Sequence, residues 1–205
     1  MKRTMRAMIL KKAMPIERDP LELAELPVPE PGPGEILLRV RMCGLCHTDL
    51  HTVEGDLPLP VLPLVPGHQI VGIVEKAGPG GPGLSGEATP LRASHGAPDL
   101  RIGSRVGAAW LYSSCGTCRF CERGLENLCE NARFTGYHRH GGYAEYVVLP
   151  ASFVYALPEG FSVPENGGFA PNRHVARPQP LDRSGPHPLG DMGRQVCNMR
   201  QTTDL

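Results

Sequence analysis

Four cysteines within fifteen residues constrain this chain more than any other feature. Cys115, Cys118, Cys121 and Cys129 follow the spacing C-x2-C-x2-C-x7-C. Zn²⁺ prefers four thiolates in a tetrahedron, each about 2.3 Å from the metal. Two-residue gaps let a tight turn aim two sulfurs at one point, and four protein ligands leave no coordination position open. The spacing predicts a closed, structural zinc site; the alternatives are two disulfides or four unrelated buried thiols.

The charge balance and the apolar runs narrow the class of protein. The 205 residues include 21 basic and 21 acidic side chains, so the net charge is zero and no nucleic-acid partner is expected. The N-terminal apolar run is too short for a signal peptide, and no run is long enough to span a membrane. We therefore expect a cytoplasmic protein without a membrane partner, in which clustered cysteines more often bind metal than form disulfides.

Short apolar runs separated by Gly and Pro predict a mainly β fold. The predicted strands cover residues 7–10, 21–25, 35–41, 70–74, 102–110, 141–149 and 153–157. No helix breaker occurs between Gly44 and Gly55, which predicts a short helix there. The polar stretch Leu84–Leu100 predicts a flexible surface insertion. The G-x-G-x-x-G matches at residues 78–86 are interpreted as loop, because prolines interrupt them and no helix follows.

A second group of potential metal ligands lies between residues 43 and 68. A thiolate at Cys46 and an imidazole at His68 are both strong Zn²⁺ ligands. Cys43 has ligand spacing relative to Cys46, however, and His47 and His51 are four residues apart on the predicted helix. Spacing alone does not choose among these residues, and each could be an ordinary buried or surface side chain.

Several motifs occur together in a familiar order. They are P-G-P-G-E-I-L-L-R-V (31–40), C-G-L-C-H-T-D-L-H (43–51), E-G-D-L-P (54–58), P-G-H-Q-I-V-G (66–72), G-S-R-V-G (103–107), the cysteine stretch 115–129 and G-G-Y-A-E-Y (141–146). Through them the chain resembles the zinc-dependent alcohol dehydrogenases of the medium-chain dehydrogenase/reductase family. The resemblance implies a GroES-like β-barrel catalytic domain with short helices and a zinc lobe over residues 1–162, with the insertion at 84–100. In the family, a Rossmann domain for NAD(P) normally follows.

The resemblance also implies roles for the metal ligands and the proton path. Cys46 and His68 match ligands of a catalytic zinc, and the four cysteines of residues 115–129 match the structural site. Thr48 matches the hydroxyl that contacts the substrate oxygen. His51 matches the far end of a proton relay that runs through the cofactor ribose.

Other matches concern neighbours of the catalytic zinc. Asp49 matches a carboxylate that orients the metal site, and His47 a position that meets the cofactor's phosphates in several members. Cys43 matches a non-ligand position. Gln69 stands where the family most often has Glu, so it brings a hydrogen-bonding amide without a charge.

The resemblance stops after Ser162. Residues 163–205 are expected to form an irregular tail that lacks a Rossmann domain and a recognisable third catalytic-zinc ligand; Cys197, His174 and His187 do not fit that role. The expected function is interconversion of an alcohol and an aldehyde or ketone with NAD(P), in a family that is usually homo-oligomeric. The alternative is a catalytically inactive, truncated zinc-binding fragment of such an enzyme.

Overall fold

The computed structural model describes residues 3–79 and 100–158, and within these ranges the chain is mostly β-structure. The strands are β1 (Thr4–Leu10), β2 (Leu21–Pro27), β3 (Glu35–Gly44), β4 (Gln69–Ala77), β5 (Arg105–Ala108), β6 (Leu111–Ser113), β7 (Arg133–Phe134), β8 (Tyr146–Pro150) and β9 (Val154–Ala156). Helix α1 is His47–Glu54, and short 3₁₀ turns occur at Ile16–Arg18, Cys121–Arg123, Glu126–Leu128 and Ala151–Phe153. The predicted mainly β fold and the short helix before Gly55 are confirmed. The tail 163–205 and all but the last residue of the insertion lie outside the described residues.

The largest sheet has five antiparallel strands in the order β8–β3–β4–β5–β9. Strands β1 and β2 form an antiparallel hairpin, and β6 pairs with β7 at the base of the cysteine-rich loop. Bridges from Ala7 to Ala144 and from Leu10 to Leu64 tie the hairpin to the rest of the chain. These connections bring the loop before β4 against the segment before β8. That loop contains His68, one of the second group of potential ligands.

Alternation along β3 divides the apolar side chains between two cores. Leu37 packs into a cluster with the β1–β2 hairpin and α1, whereas Ile36 and Leu38 pack into a cluster with β4, β5 and β8. All three side chains are buried. Both cores are largely aliphatic, as the low aromatic content requires, and Tyr143 is the largest side chain that is fully buried.

Local hydrogen bonds explain why α1 begins and ends where it does. The Asp49 carboxylate accepts from the backbone N–H of Cys46 at 3.1 Å, which caps a free donor at the first turn. Gly55 ends the helix with a φ of +87°, a conformation that favours glycine. Leu50 and Val53, which lie three residues apart, are buried against the first core. The helix is thus fixed with its N-terminus beside Cys46.

Several predicted boundaries were wrong, three of them for reasons that the structure shows. The expected strand 141–149 begins only at Tyr146, because residues 141–143 bond instead to the loop 65–67: Gly141 N donates to Val65 O, and Gly142 N to Gly67 O. The strand expected over 102–110 is limited to β5, since Gly103 turns the chain with a φ of +91°. Leu100, assigned to the surface insertion, is buried in the second core. No helix among the described residues has the length and apolar character needed to cross a membrane.

Candidate metal centres

The four clustered cysteines bring their sulfur atoms together. Cys121 Sγ lies 3.9 Å from Cys115 Sγ and 3.5 Å from Cys118 Sγ, and all four sulfurs, including that of Cys129, lie within 4.8 Å of one another. Zn–S bonds of about 2.3 Å in a tetrahedron place sulfurs about 3.8 Å apart. A disulfide requires about 2.05 Å, and every cysteine among the described residues is a free thiol. The donor set fits a tetrahedral metal ion, and neither disulfides nor scattered thiols describe it.

Glycines and backbone amides prepare this cysteine lobe for a metal ion. Gly116 and Gly124 both have a φ of +72°, which lets the chain turn tightly between ligands. Backbone hydrogen bonds from Thr117 and Cys118 lower the pKa of Cys115 to about 6. Because the thiolate is the form that binds zinc, this sulfur is largely in its ligand form at neutral pH.

A second centre joins the end of β3, the start of α1 and the residue before β4. Cys46 Sγ lies 3.1 Å from His68 Nε2, and His68 Nδ1 lies 3.0 Å from Asp49 Oδ1. The imidazole therefore uses one nitrogen toward the thiol and the other toward the carboxylate. A tetrahedral zinc ion between Cys46 and His68 would separate sulfur and nitrogen by about 3.5 Å, so a small opening of the pair accommodates a metal, with Asp49 behind the histidine.

Asp49 is the fixed part of this second centre. Its side chain is 1% exposed. Oδ1 accepts hydrogen bonds from Gly67 N at 3.2 Å and from His68 Nδ1, and Oδ2 accepts from Cys46 N. One carboxylate thus links the helix start, the loop before β4 and the histidine ring, and so sets the direction in which His68 Nε2 points.

The charges of the second centre are perturbed by burial and by close partners. Burial favours a neutral His68, yet its hydrogen bonds with Asp49 and Cys46 raise its pKa to about 9. Burial, the largest single effect, acts to raise the pKa of Cys46, but the hydrogen bonds with His68 and Thr48 and the charge of His68 together lower it. The contacts within the pair thus favour its charged forms, and a metal ion bound at His68 Nε2 would replace the proton there.

The other residues singled out from the sequence surround this centre at different depths. Thr48 is half-buried, and its hydroxyl helps to lower the pKa of Cys46. His51 is half exposed, and its Nδ1 lies 2.8 Å from Asp56 Oδ2. His47 is exposed, with its ring 6.4 Å from that of His51.

Two further residues of that set lie beside the centre without joining its donor group. Gln69 is the first residue of β4 and pairs with Gly44. Cys43, which is partly buried between the two cores, is not part of the group formed by Cys46, Asp49 and His68. His174, His187 and Cys197 lie outside the described residues.

Trp110 is a neighbour of the centre that sequence reasoning did not single out. Its ring meets the His68 ring edge-on, with centroids 4.8 Å apart, and stacks on Phe134 at 4.9 Å. Tyr137 adds a third ring 5.8 Å from Trp110. These rings form an aromatic wall beside His68. The only signal in the sequence was that the sole tryptophan ends the predicted strand 102–110 and lies shortly before the cysteine lobe.

Comparisons with known proteins agree with this arrangement. The family profile "Alcohol dehydrogenase GroES-like domain" matches residues 32–159. An alcohol dehydrogenase of Geobacillus stearothermophilus is 43% identical over 149 residues, which are 72% of this chain and 40% of that protein. A cobalt- and zinc-bound thermostable alcohol dehydrogenase from Pyrobaculum aerophilum has a TM-score of 0.61 at 33% identity, covering 75% of this chain and 41% of that one. For an NAD-dependent alcohol dehydrogenase the TM-score is 0.63 at 36% identity, covering 77% and 41%.

The profile match extends over more than half of the chain, from the loop before β3 to the end of the described region. The chain spans about two fifths of the length of the relatives it matches. The β-rich architecture, the cysteine lobe and the matched segment together confirm the expected GroES-like fold. The chain therefore belongs to the zinc-dependent alcohol dehydrogenase family, of which it carries the GroES-like domain.

Proposed function

We propose that this chain provides the metal-binding catalytic domain of an enzyme that interconverts a small alcohol and its aldehyde or ketone with NAD(P). The observation that carries the proposal is the Cys46–His68–Asp49 centre, where two strong ligands meet above a buried carboxylate. The alcohol loses a hydride to NAD(P)⁺ and a proton to solvent, and the reverse reaction restores both. Family membership supports the reaction class, and the cofactor and substrate are extended to this chain from its relatives.

In this proposal the two centres have different tasks. Cys115, Cys118, Cys121 and Cys129 hold a structural zinc, because four thiolates leave no position for substrate. Cys46 and His68 hold the catalytic zinc and leave positions for the substrate oxygen and for a further ligand. When bound there, zinc supplies Lewis acidity toward the alcohol oxygen.

The chain's own side chains orient the substrate and move the proton. Thr48 and His51 lie three residues apart on α1, so both side chains lie on one helix face that runs from the centre to solvent. The Thr48 hydroxyl accepts the proton of the alcohol and passes its own outward. His51, whose Nδ1 is held by Asp56, offers Nε2 as the final acceptor, and an imidazole exchanges protons readily near neutral pH.

Three neighbours adjust the site. The aromatic wall begun by Trp110 covers one side of His68 and excludes water there. His47, exposed at the first turn of α1, is placed to meet the phosphates of the cofactor. Gln69 offers an amide near the centre and adds no charge, whereas a Glu at that position would make the metal site more negative by one charge.

A second candidate function is that of a zinc-binding domain without turnover of its own. One observation favours it: the described residues bring only Cys46, His68 and Asp49 to the second centre. The structural zinc would then be the principal bound metal. Homo-oligomeric assembly and a cytoplasmic location are proposed by extension from the family, and sedimentation and cell fractionation test them.

Metal analysis and turnover on the 205-residue chain separate the two functions. The dehydrogenase proposal expects two zinc equivalents and formation of NADH or NADPH from a primary alcohol. Cys46→Ser should lose one equivalent and all turnover. Cys43→Ser removes a nearby thiol outside the donor group and should keep both. Two zinc equivalents without turnover, or a single equivalent in the lobe, would support the zinc-binding alternative.

A further inference from the structure

Tyr143 has a buried hydroxyl that the proposed chemistry does not use. The side chain is 0% exposed, and its hydroxyl forms no hydrogen bond among the described residues. An unpaired buried hydroxyl is costly, and such groups are rare in native proteins. A phenylalanine would fill the same space without this cost, so we expect the hydroxyl to have a hydrogen-bond acceptor nearby.

The backbone holds the Tyr143 ring against the second metal centre. Tyr143 N donates to Pro66 O at 3.0 Å, and Tyr143 O accepts from Met8 N at 2.8 Å. A Cβ on Gly67 would lie 2.6 Å from Tyr143 Cδ1, so the ring packs directly on the residue before His68. The ring cannot move away without breaking the contacts of two neighbouring segments.

An acceptor able to satisfy the hydroxyl is Asp49, because its Oδ1 accepts from Gly67 N and the Tyr143 ring packs against Gly67. Burial raises the pKa of Tyr143 well above its usual value, and the carboxylate of Asp49 acts in the same direction. Asp49 Oδ1 already accepts two hydrogen bonds, whereas Oδ2 accepts one, from Cys46 N. Each carboxylate oxygen can accept two, so Oδ2 has room for one more donor.

We propose that Tyr143 is a positioning residue for the second centre, whose hydroxyl donates to Asp49 and so fixes the carboxylate that aims His68. The step from the orphaned hydroxyl to this bond requires only a small adjustment inside a closed core. A fourth donor on Asp49 restricts its rotation, and outer partners of this kind tune metal affinity by holding the ligand histidine in one orientation. The part of this inference that concerns metal affinity rests on the proposed function.

The test compares Tyr143→Phe with Tyr146→Phe in the 205-residue chain. Tyr146 is also buried and lies in the same segment, but its hydroxyl accepts from Arg3, away from Asp49. Zinc competition against a chromophoric chelator is expected to show about tenfold weaker binding at the second centre in Tyr143→Phe. The cysteine lobe should bind as before, and Tyr146→Phe should match the wild type at both centres.

A metal-free readout separates this inference from the metal assignment. Hydrogen exchange of the Cys46 and Gly67 amides, which both donate to Asp49, should become several-fold faster in Tyr143→Phe only. Unchanged exchange together with a higher melting temperature would overturn the inference, because the hydroxyl would then be merely an unsatisfied group. If the wild type binds no second zinc, the proposed metal site fails, and the exchange rates alone still decide the role of Tyr143.

Discussion

Replacing Asp49 with Asn tests the electrostatics of the second centre most directly. In the metal-free centre the pKa of His68 is about 9, compared with 6.5 for an unperturbed histidine. A difference of about 2.5 pKa units corresponds to about 3 kcal/mol at roughly 1.4 kcal/mol per unit. Because the His68 side chain is only 6% exposed, solvent screens little of this interaction free energy. Asp49→Asn should lower the His68 pKa well below 9, since the contribution of the carboxylate is lost while burial still favours the neutral ring.

The sign of the pH dependence follows from linkage. A folded-state pKa above the unfolded value stabilises the fold fully below about pH 6.5, and this contribution disappears as the pH rises through about 9. Cys46 has the opposite dependence. Its lowered pKa stabilises the fold at pH values above the unfolded pKa near 9, and this stabilisation is lost as the pH falls. Both proteins retain Cys46. The unfolding free energy of the wild type minus that of Asp49→Asn should therefore be larger at pH 6 than at pH 9.5, by up to about 3 kcal/mol.

Two assays measure this difference. In both assays, one equivalent of zinc is added to fill the cysteine lobe. NMR then follows the His68 ring proton between pH 5 and 10. Urea unfolding gives the unfolding free energies at pH 6 and pH 9.5. Asp56→Asn is the matched control, because Asp56 pairs with the exposed His51 and should leave His68 unchanged. A wild-type His68 that titrates near 6.5 would refute the reasoning, as would equal pH profiles for wild type and Asp49→Asn.

Three other substitutions probe the scaffold. Gly67→Ala should destabilise the fold by about 2 kcal/mol more than Gly103→Ala in thermal unfolding, because both have φ above +90° but only a Cβ at Gly67 meets Tyr143; equal losses would contradict this. Leu38→Ala, at a 0% exposed position, should cost about 2–5 kcal/mol in urea unfolding, against less than about 1 kcal/mol for the half-exposed Leu23→Ala. Cys129→Ser should change the cobalt spectrum of the lobe from a four-sulfur to a three-sulfur type; a retained four-sulfur spectrum would exclude Cys129 as a ligand.

The cysteine lobe could be predicted from the sequence because its information is local. Fifteen residues contain all four donors; Gly116 completes the turn in one two-residue gap, and Gly124 turns the longer return to Cys129. The second centre was different. Cys46 and His68 are separated by 22 positions, and only the family resemblance distinguished Cys46 from Cys43. Geometry now separates the two thiols, since Cys43 packs between the cores and Cys46 faces His68.

Features that depend on long-range contacts were missed for a physical reason. The residues 141–143 have strand-like composition, but their partners are loop residues 65–67, and no pattern in either segment encodes that pairing. The Trp110 ring meets that of His68, a residue 42 positions earlier in the chain, so its role was not visible in its neighbours. Leu100 was grouped with polar residues by position, although its burial depends on strands far along the chain.

The crowding of backbone around Gly67 has a consequence for the order in which the molecule assembles. A Cβ on Gly141 or Gly136 would lie 1.9 Å or 2.8 Å from Gly67 backbone atoms, so two distant stretches of main chain, around residue 67 and over residues 136–141, meet where no side chain fits. Bringing residues 67 and 141 together closes a loop of over seventy residues, whereas the lobe closes fifteen. In stopped-flow refolding with cobalt, the lobe's sulfur–metal absorption should appear before any signal from Cys46 and His68; simultaneous appearance would contradict this order. The cysteine lobe would then bind its metal early in folding, and the Cys46–His68 centre would bind its metal last.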